Sequence, residues 1–317
     1  MPTPKTFLTY AEQVDLLRSR GLLIHDQAEA EHCLEHINYY RLSGYWYPLR
    51  QIGSITERRL DSFLPGSSFD QVLALYEFDL QLRTSVFEVL SAVELTFRAL
   101  LGHELGRIAP LIHMDPSRLG PLARHRTSNE PSPEYNKWLN RYHHELSSSR
   151  EIFVSHYKKY YDSQLPVWAA VEIMDFGSLT HLYRLAPDEV RENIAVHAQL
   201  NAAQLGSWMK SLNIVRNYAA HHARMFNRVY ALKPRMPRVG QDASLDAARG
   251  VMNRCFGQLT MIQYLLRAFN LDGLNTLPTL LATYPHTIPA VPINHVGAPP
   301  AWNELDLWKV AANSILS

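Results

Sequence analysis

The stretch RNYAAHHARMFNR, from Arg216 to Arg228, concentrates groups that can do chemistry on an anion: Arg216, Asn217, His221, His222, Arg224, Asn227 and Arg228. No Asp or Glu occurs between Gln204 and Gly240, so the sequence supplies no local counter-charge. Histidine exchanges protons near neutral pH. Arginine is a fixed cation whose planar fork fits phosphate oxygens. Mg²⁺ asks for oxygen ligands that this stretch does not offer. Such a set suits a metal-free attack of a ribose 2′-hydroxyl on the adjacent phosphate. One group takes the 2′ proton, another protonates the leaving 5′ oxygen, and a cation stabilises the crowded phosphorane. The substrate must then be RNA, because DNA lacks the nucleophile. Beyond it, Lys233, Arg235 and Arg238 extend the positive charge through a proline-broken segment. They would either bind a structured RNA of the protein's own or only steer substrate.

These groups need an element to line them up, and the pattern predicts a helix from Ala202 to about Tyr230. On it Asn213, Asn217, His221, Arg224 and Arg228 form one stripe at spacings of four, four, three and four. Trp208, Leu212, Val215, Ala219 and Phe226 lie on the opposite, packing side, and Arg216 flanks the stripe. A solvated face is the plain alternative. Exposed faces normally mix both charge signs, however, and His and Asn are mediocre helix formers.

The rest of the chain reads as helical, and the expected fold is all-α. Thr9 to Glu12 and Ser68 to Gln71 have the form of capping boxes, and Asp26 to Glu29 opens another helix. The longest periodic stretch starts at Asp70, with Leu75, Phe78, Leu82, Val86, Val89 and Val93 on one face. Asn38 to Arg50 breaks the pattern and reads as a turn or a short extended piece. Pro110 to Pro133 is irregular. Helices resume from Glu134 to Tyr161, after Pro166, and from about Ala243 to Phe269. The proline-rich end reads as an extended tail draped over the domain. The division expected is an N-terminal helical extension with the aromatic motif (1–66), a helical domain (67–270), and a C-terminal helix with the tail (271–317).

The 317 residues carry a net charge of +1, so affinity for nucleic acid must come from local clustering. A hydrophobic fraction of 46% supports a core. Cys33 and Cys255 are too few for a disulfide framework or a four-cysteine zinc site. The start lacks a signal-peptide core and no apolar run is long enough to span a bilayer, so the expectation is a cytoplasmic protein without membrane contact.

Arg216-Asn-Tyr-Ala-Ala-His221 resembles the motif of HEPN ribonucleases, an Arg with a polar residue after it and a His four to six residues on. Alone the motif is loose. NYYRLSGYWYPLR, LYEFDLQLR, LPVWAAVEIMDFGSLTHLY, SWMKSLNIVRNYAAHHARMFNR and the closing APPAW resemble, in order, blocks of the bacterial Abi-like abortive-infection family of the AbiD/AbiF type. The resemblance implies a HEPN-type helical bundle that forms a homodimer, with the two motifs meeting across the axis in one composite RNase site. It also implies phage-defence or toxin–antitoxin behaviour, in some members with a small non-coding RNA as partner. Arg216, Asn217 and His221 match the catalytic positions, no cofactor or metal is expected, and His222 leaves the histidine registry open. His222, Arg224, Arg228, Lys233 and Arg235 are candidates for RNA binding.

His32-Cys-Leu-Glu-His36 matches the spacing of an inverzincin helix, but a third ligand and an active-site cleft are not evident, so no metal site is expected. His143-His144-Glu145 reads as helix surface. The tyrosines and Trp46 of the 38–50 segment read as aromatic core rather than a base-stacking platform, with Arg41 the one member expected to touch RNA. Glu94 and Arg98 are spaced as an intrahelical pair, which would orient Arg216 if buried beside it. Two functions follow: a HEPN endoribonuclease, or a non-catalytic RNA-binding or sensor protein of the same fold.

Overall fold

The computed structural model describes residues 5–53, 58–125 and 130–310. Helices α1 (Tyr10–Ser19), α2 (Gln27–Ile37) and α3 (Tyr39–Trp46) are followed by a short antiparallel hairpin, β1 (Arg50–Ile52) with β2 (Arg59–Phe63). Thr9 and Glu12 form the expected capping box, and Asp26 accepts from the Glu29 amide at 3.0 Å. The 38–50 segment is mostly helical rather than a turn. Asn38, at φ 70°, ends α2 and caps the Tyr40 amide at 2.9 Å, so the break seen in the pattern is a joint between two helices.

Helix α4 (Phe69–Gly106) is the axis of the molecule, about 57 Å long at 1.5 Å per residue. Ser68 and Gln71 cap it reciprocally. Its Leu75, Phe78, Leu82, Val86, Val89 and Val93 are all buried, as their spacing requires. Gly102 lets the next layer approach: a Cβ there would come within 2.9 Å of Val171 and 3.2 Å of the Trp168 backbone.

Next in the chain come α5 (Pro133–Ser148), α6 (Ile152–Tyr160), α7 (Val167–Ala170), α8 (Phe176–Leu185), α9 (Asp188–His197) and α10 (Ala202–Ala220); α7, α8, α9 and α10 pack on α4, and α5 packs on α8. The α10 side chains Leu205, Trp208, Met209, Leu212, Val215 and Ala219 are buried. The helix expected from about Ala243 is divided into α11 (Ala243–Ala248) and α12 (Cys255–Ala268). The break around Gly250 frees the Asn253 carbonyl, which accepts from the Tyr230 amide at 2.8 Å. Helix α12 is apolar around most of its circumference and correspondingly buried. After α13 (Thr276–Ala282) the tail folds back in short turns, and Trp308 stacks on Phe256 with ring centroids 4.7 Å apart. The fold is all-α apart from the hairpin. Among the described residues no helix is long and apolar enough to cross a membrane.

Candidate functional site

Arg216 lies near the end of α10, on the side facing α4. Its Nε is 3.4 Å from Glu94 Oε2, and its guanidinium carbon is 5.8 Å from the centre of the Phe87 ring. Glu94 is also paired with Arg98 at 3.1 Å, and Arg98 donates onward to the Val171 carbonyl. Glu94 and Arg98 are both buried, so two guanidinium groups share one carboxylate of low exposure. The pair is intrahelical and also reaches Arg216, so an acid that the local sequence lacks arrives from the neighbouring helix. Arg216 itself stays partly exposed, with 28% of its side-chain surface accessible.

The helix stops at Ala220, ten residues before the end expected from periodicity. His221 caps it, and His222 adopts the left-handed conformation at φ 56°. The His222 amide returns to the Ala219 carbonyl at 3.3 Å and the Ala223 amide to the Tyr218 carbonyl at 2.9 Å, the bond pattern of a Schellman stop. Glycine usually takes this position, and histidine is among the residues that tolerate it. Distant anchors hold the stop in place. Arg41 of α3 donates to the His222 carbonyl at 2.6 Å. Asp79 of α4 accepts from the Phe226 and Met225 amides at 2.6 and 3.1 Å and from the Tyr45 hydroxyl at 2.5 Å, and it pairs with Arg83. An acid in the apolar stripe of a helix is the sequence signal that could have located Asp79.

Because the helix ends early, the expected polar stripe is dismantled after His221. Asn213 and Asn217 remain half-buried on α10, and His221 and His222 are exposed at its end. Arg224 turns inward and donates to the Gly44 and Phe226 carbonyls at 3.0 and 3.2 Å. A Cβ at Gly44 would sit 2.8 Å from the Arg224 Nε, so a side chain there would require Arg224 to shift. Arg228 lies over the Tyr218 ring at 4.3 Å. The segment then runs back along α10. Trp208 Nε1 donates to the Arg235 carbonyl at 2.8 Å, and the Arg235 amide donates to the Ser207 hydroxyl at 2.9 Å. Lys233, Arg235 and Arg238 are exposed. Ser207 and His221 are fourteen positions apart, about 21 Å along a helix axis. The candidate basic residues thus form two groups, one at the helix end and one near its start.

Among the described residues the His221 imidazole makes no hydrogen bond, so it is free to meet a ligand, whereas Arg216 is ion-paired with Glu94, although its Nε makes no hydrogen bond. An ion-paired cation and, five positions on at the end of the same helix, a free, exposed imidazole are groups that can bind a phosphodiester and exchange protons with it. Of the aromatic segment, Tyr45 and Trp46 are core, while Tyr40 and Tyr47 are exposed. His32, Glu35 and His36 meet on the surface of α2, well separated in sequence from the α10 groups.

Residues 32–227, more than half of the chain, match the model of the family described as Abi-like protein, and the chain belongs to that family. No curated protein and no solved structure matches the chain.

Proposed function

We propose that this Abi-like protein is a metal-independent endoribonuclease of HEPN type, acting as an abortive-infection effector in the cytoplasm. The observation that carries the reading is the contrast between Arg216, ion-paired with Glu94 and lying over Phe87, and the free His221 at the exposed end of the same helix. A histidine removes the 2′ proton, the 2′ oxygen bonds to phosphorus, and the 5′ oxygen leaves with a proton from a second group. Arg216 stabilises the charge on the phosphorane, and Asn217 lies next to it to orient the phosphodiester. The products are a 2′,3′-cyclic phosphate and a 5′-hydroxyl. One chain offers one motif, so a homodimer would bring the second histidine. Exposed Phe87 beside Arg216, with Leu80 and Leu95 on the same side of α4, supports a contact there.

The two basic groups, 21 Å apart along α10 as a helical estimate, support contact with a length of RNA beyond one scissile phosphate. A structured non-coding RNA of the protein's own would fit, and protein washed in high salt should then retain one discrete RNA species. Random cellular fragments would leave the basic residues with substrate steering alone.

One observation favours a second reading. Glu94 partly neutralises Arg216, as it would in a protein that binds RNA without cutting it. Incubating purified protein with RNA in EDTA separates the two. Cleavage that leaves 2′,3′-cyclic phosphate ends and is lost in Arg216→Ala supports the enzyme. Binding without cleavage supports the sensor, and products with 5′-phosphates or strict Mg²⁺ dependence overturn the mechanism.

A further inference from the structure

Helix α2 carries a cluster of chemistry-bearing side chains that the RNA reading leaves unused. His32, Glu35 and His36 are all exposed, and one ligand atom from each lies within 4.8 Å of the others. Their spacing of three and four puts them on one helix face. The two imidazole rings have centroids 4.2 Å apart. The His36 Nδ1 lies 2.9 Å from the His32 carbonyl oxygen. With the proton on Nδ1, that contact is a donated hydrogen bond and leaves Nε2 with its lone pair. A ring nitrogen anchored on a backbone carbonyl is the usual support of a metal-bound histidine. Cys33, between the ligands in sequence, packs against the core instead.

We propose that His32, Glu35 and His36 form a surface site for a divalent first-row transition ion, with Zn²⁺ the natural occupant. Two imidazoles and one carboxylate suit such an ion and not Mg²⁺ or Ca²⁺, which prefer all-oxygen shells. Zinc bonds of about 2.0–2.2 Å require the ligand atoms to close to about 3.4 Å from one another. Three exposed side chains reach that by rotamer adjustment alone. Water completes the tetrahedron. The ion would fasten the last turns of α2 directly before Asn38, the joint that leads into α3 and Arg41. The site is independent of the RNA reading and stands or falls on metal binding.

The test uses the full chain, stripped with EDTA and dialysed, in a zinc titration against a chromophoric chelator, with thermal melts in parallel. Wild-type protein should take up about one equivalent more than the His32→Ala/His36→Ala double variant, as one three-ligand site predicts. Zinc should raise the Tm of the wild type more than that of the double variant, because it binds the folded state. Loss of a supporting partner alone weakens metal sites ~10-fold or more, so each single histidine variant should bind at least that much less tightly. Glu35→Gln, which preserves the helix, should also weaken binding. A His143→Ala/His144→Ala control on α5 should bind as the wild type does. Equal uptake and equal affinity in wild type and the double variant would overturn the proposal.

Discussion

Arg216 and Glu94 meet across the contact between α10 and α4, with Nε and Oε2 3.4 Å apart, and Glu94 is held in turn by Arg98. The cation proposed to meet RNA is thus aimed by an acid 122 positions earlier in the chain. Glu94→Gln keeps the shape and removes the charge. Misplacement of a positioned group by about 1 Å can cost ~100-fold, so cleavage should fall by that order without vanishing. Stability should fall by about 1–3 kcal/mol, because a buried charged group loses its partner. Single-turnover cleavage and urea melts read the two effects. Unchanged cleavage in Glu94→Gln would remove Glu94 from any positioning role.

The histidine registry is open to a direct test. His222 is in the left-handed region, where a non-glycine residue stores about 1–2 kcal/mol, and its carbonyl, not its ring, makes the contact with Arg41. His222→Gly should therefore gain stability while retaining cleavage, and His221→Ala should lose cleavage with its fold intact. The opposite pattern of activities would transfer the chemistry to His222.

The arginines divide into two sorts that salt dependence distinguishes. Arg41 and Arg224 spend donors on backbone carbonyls of the chain itself, whereas Lys233 and Arg235 are exposed. Arg41→Ala and Arg224→Ala should lower thermal stability and leave the salt slope of RNA binding unchanged. Lys233→Ala and Arg235→Ala should each reduce that slope by about 0.7–0.9, one phosphate contact apiece. A reduced slope in Arg41→Ala would restore it to the RNA surface.

What was legible in the sequence was local. The caps at Thr9, Asp26 and Ser68 and the buried face of α4 obey rules set by neighbours three or four residues away. The end of α10 was not legible, because Met225 and Phe226 continue an apolar pattern that a longer helix would share. Their amides are taken instead by Asp79, 146 and 147 positions away. The Glu94–Arg98 pair was legible from its spacing of four, but that it is buried and reaches Arg216 depends on packing between distant helices. The residue types and spacing of the Arg216–His221 motif were visible in the sequence, whereas the exposure of His221 and the inward turn of Arg224 onto the Gly44 carbonyl depend on where the helix stops.

His113 should give the fold a pH dependence. It is fully buried against Trp138 and Tyr142, and among the described residues neither ring nitrogen has a hydrogen-bond partner. Burial pushes its pKa down from 6.5 to about 4. Above the unfolded pKa both states are neutral and the contribution to stability is whole. Between about pH 6.5 and 4 the unfolded chain binds a proton that the folded chain refuses, so stability falls as pH falls through that window. The full loss is about 3 kcal/mol, and half of it should appear near pH 5. His113→Phe should flatten that part of the stability–pH curve in urea melts. An unchanged curve would mean that His113 gains a partner on protonation.

The proposed homodimer can be tested without touching the proposed catalytic groups. Leu80, Thr84, Phe87, Ser91 and Leu95 follow one line along α4 at spacings of four, three, four and four. Leu95 is 60% exposed and Phe87 42%, on the helix that also carries Glu94. This exposed apolar strip beside Arg216 is where the proposed dimer would dock its second copy. Leu95→Glu places a charge in that strip at a position that is already exposed, so the monomer fold should survive. Burying the unpaired carboxylate would cost the dimer several kcal/mol. Light scattering should show a dimer for the wild type and a monomer for Leu95→Glu at micromolar concentration. If the composite site is correct, cleavage by the variant should collapse with its dimer. Mixing Arg216→Ala with His221→Ala subunits should give heterodimers whose activity reports whether the two motifs act together. A Leu95→Glu protein that is monomeric and still cleaves RNA in proportion to its concentration would show that one chain suffices.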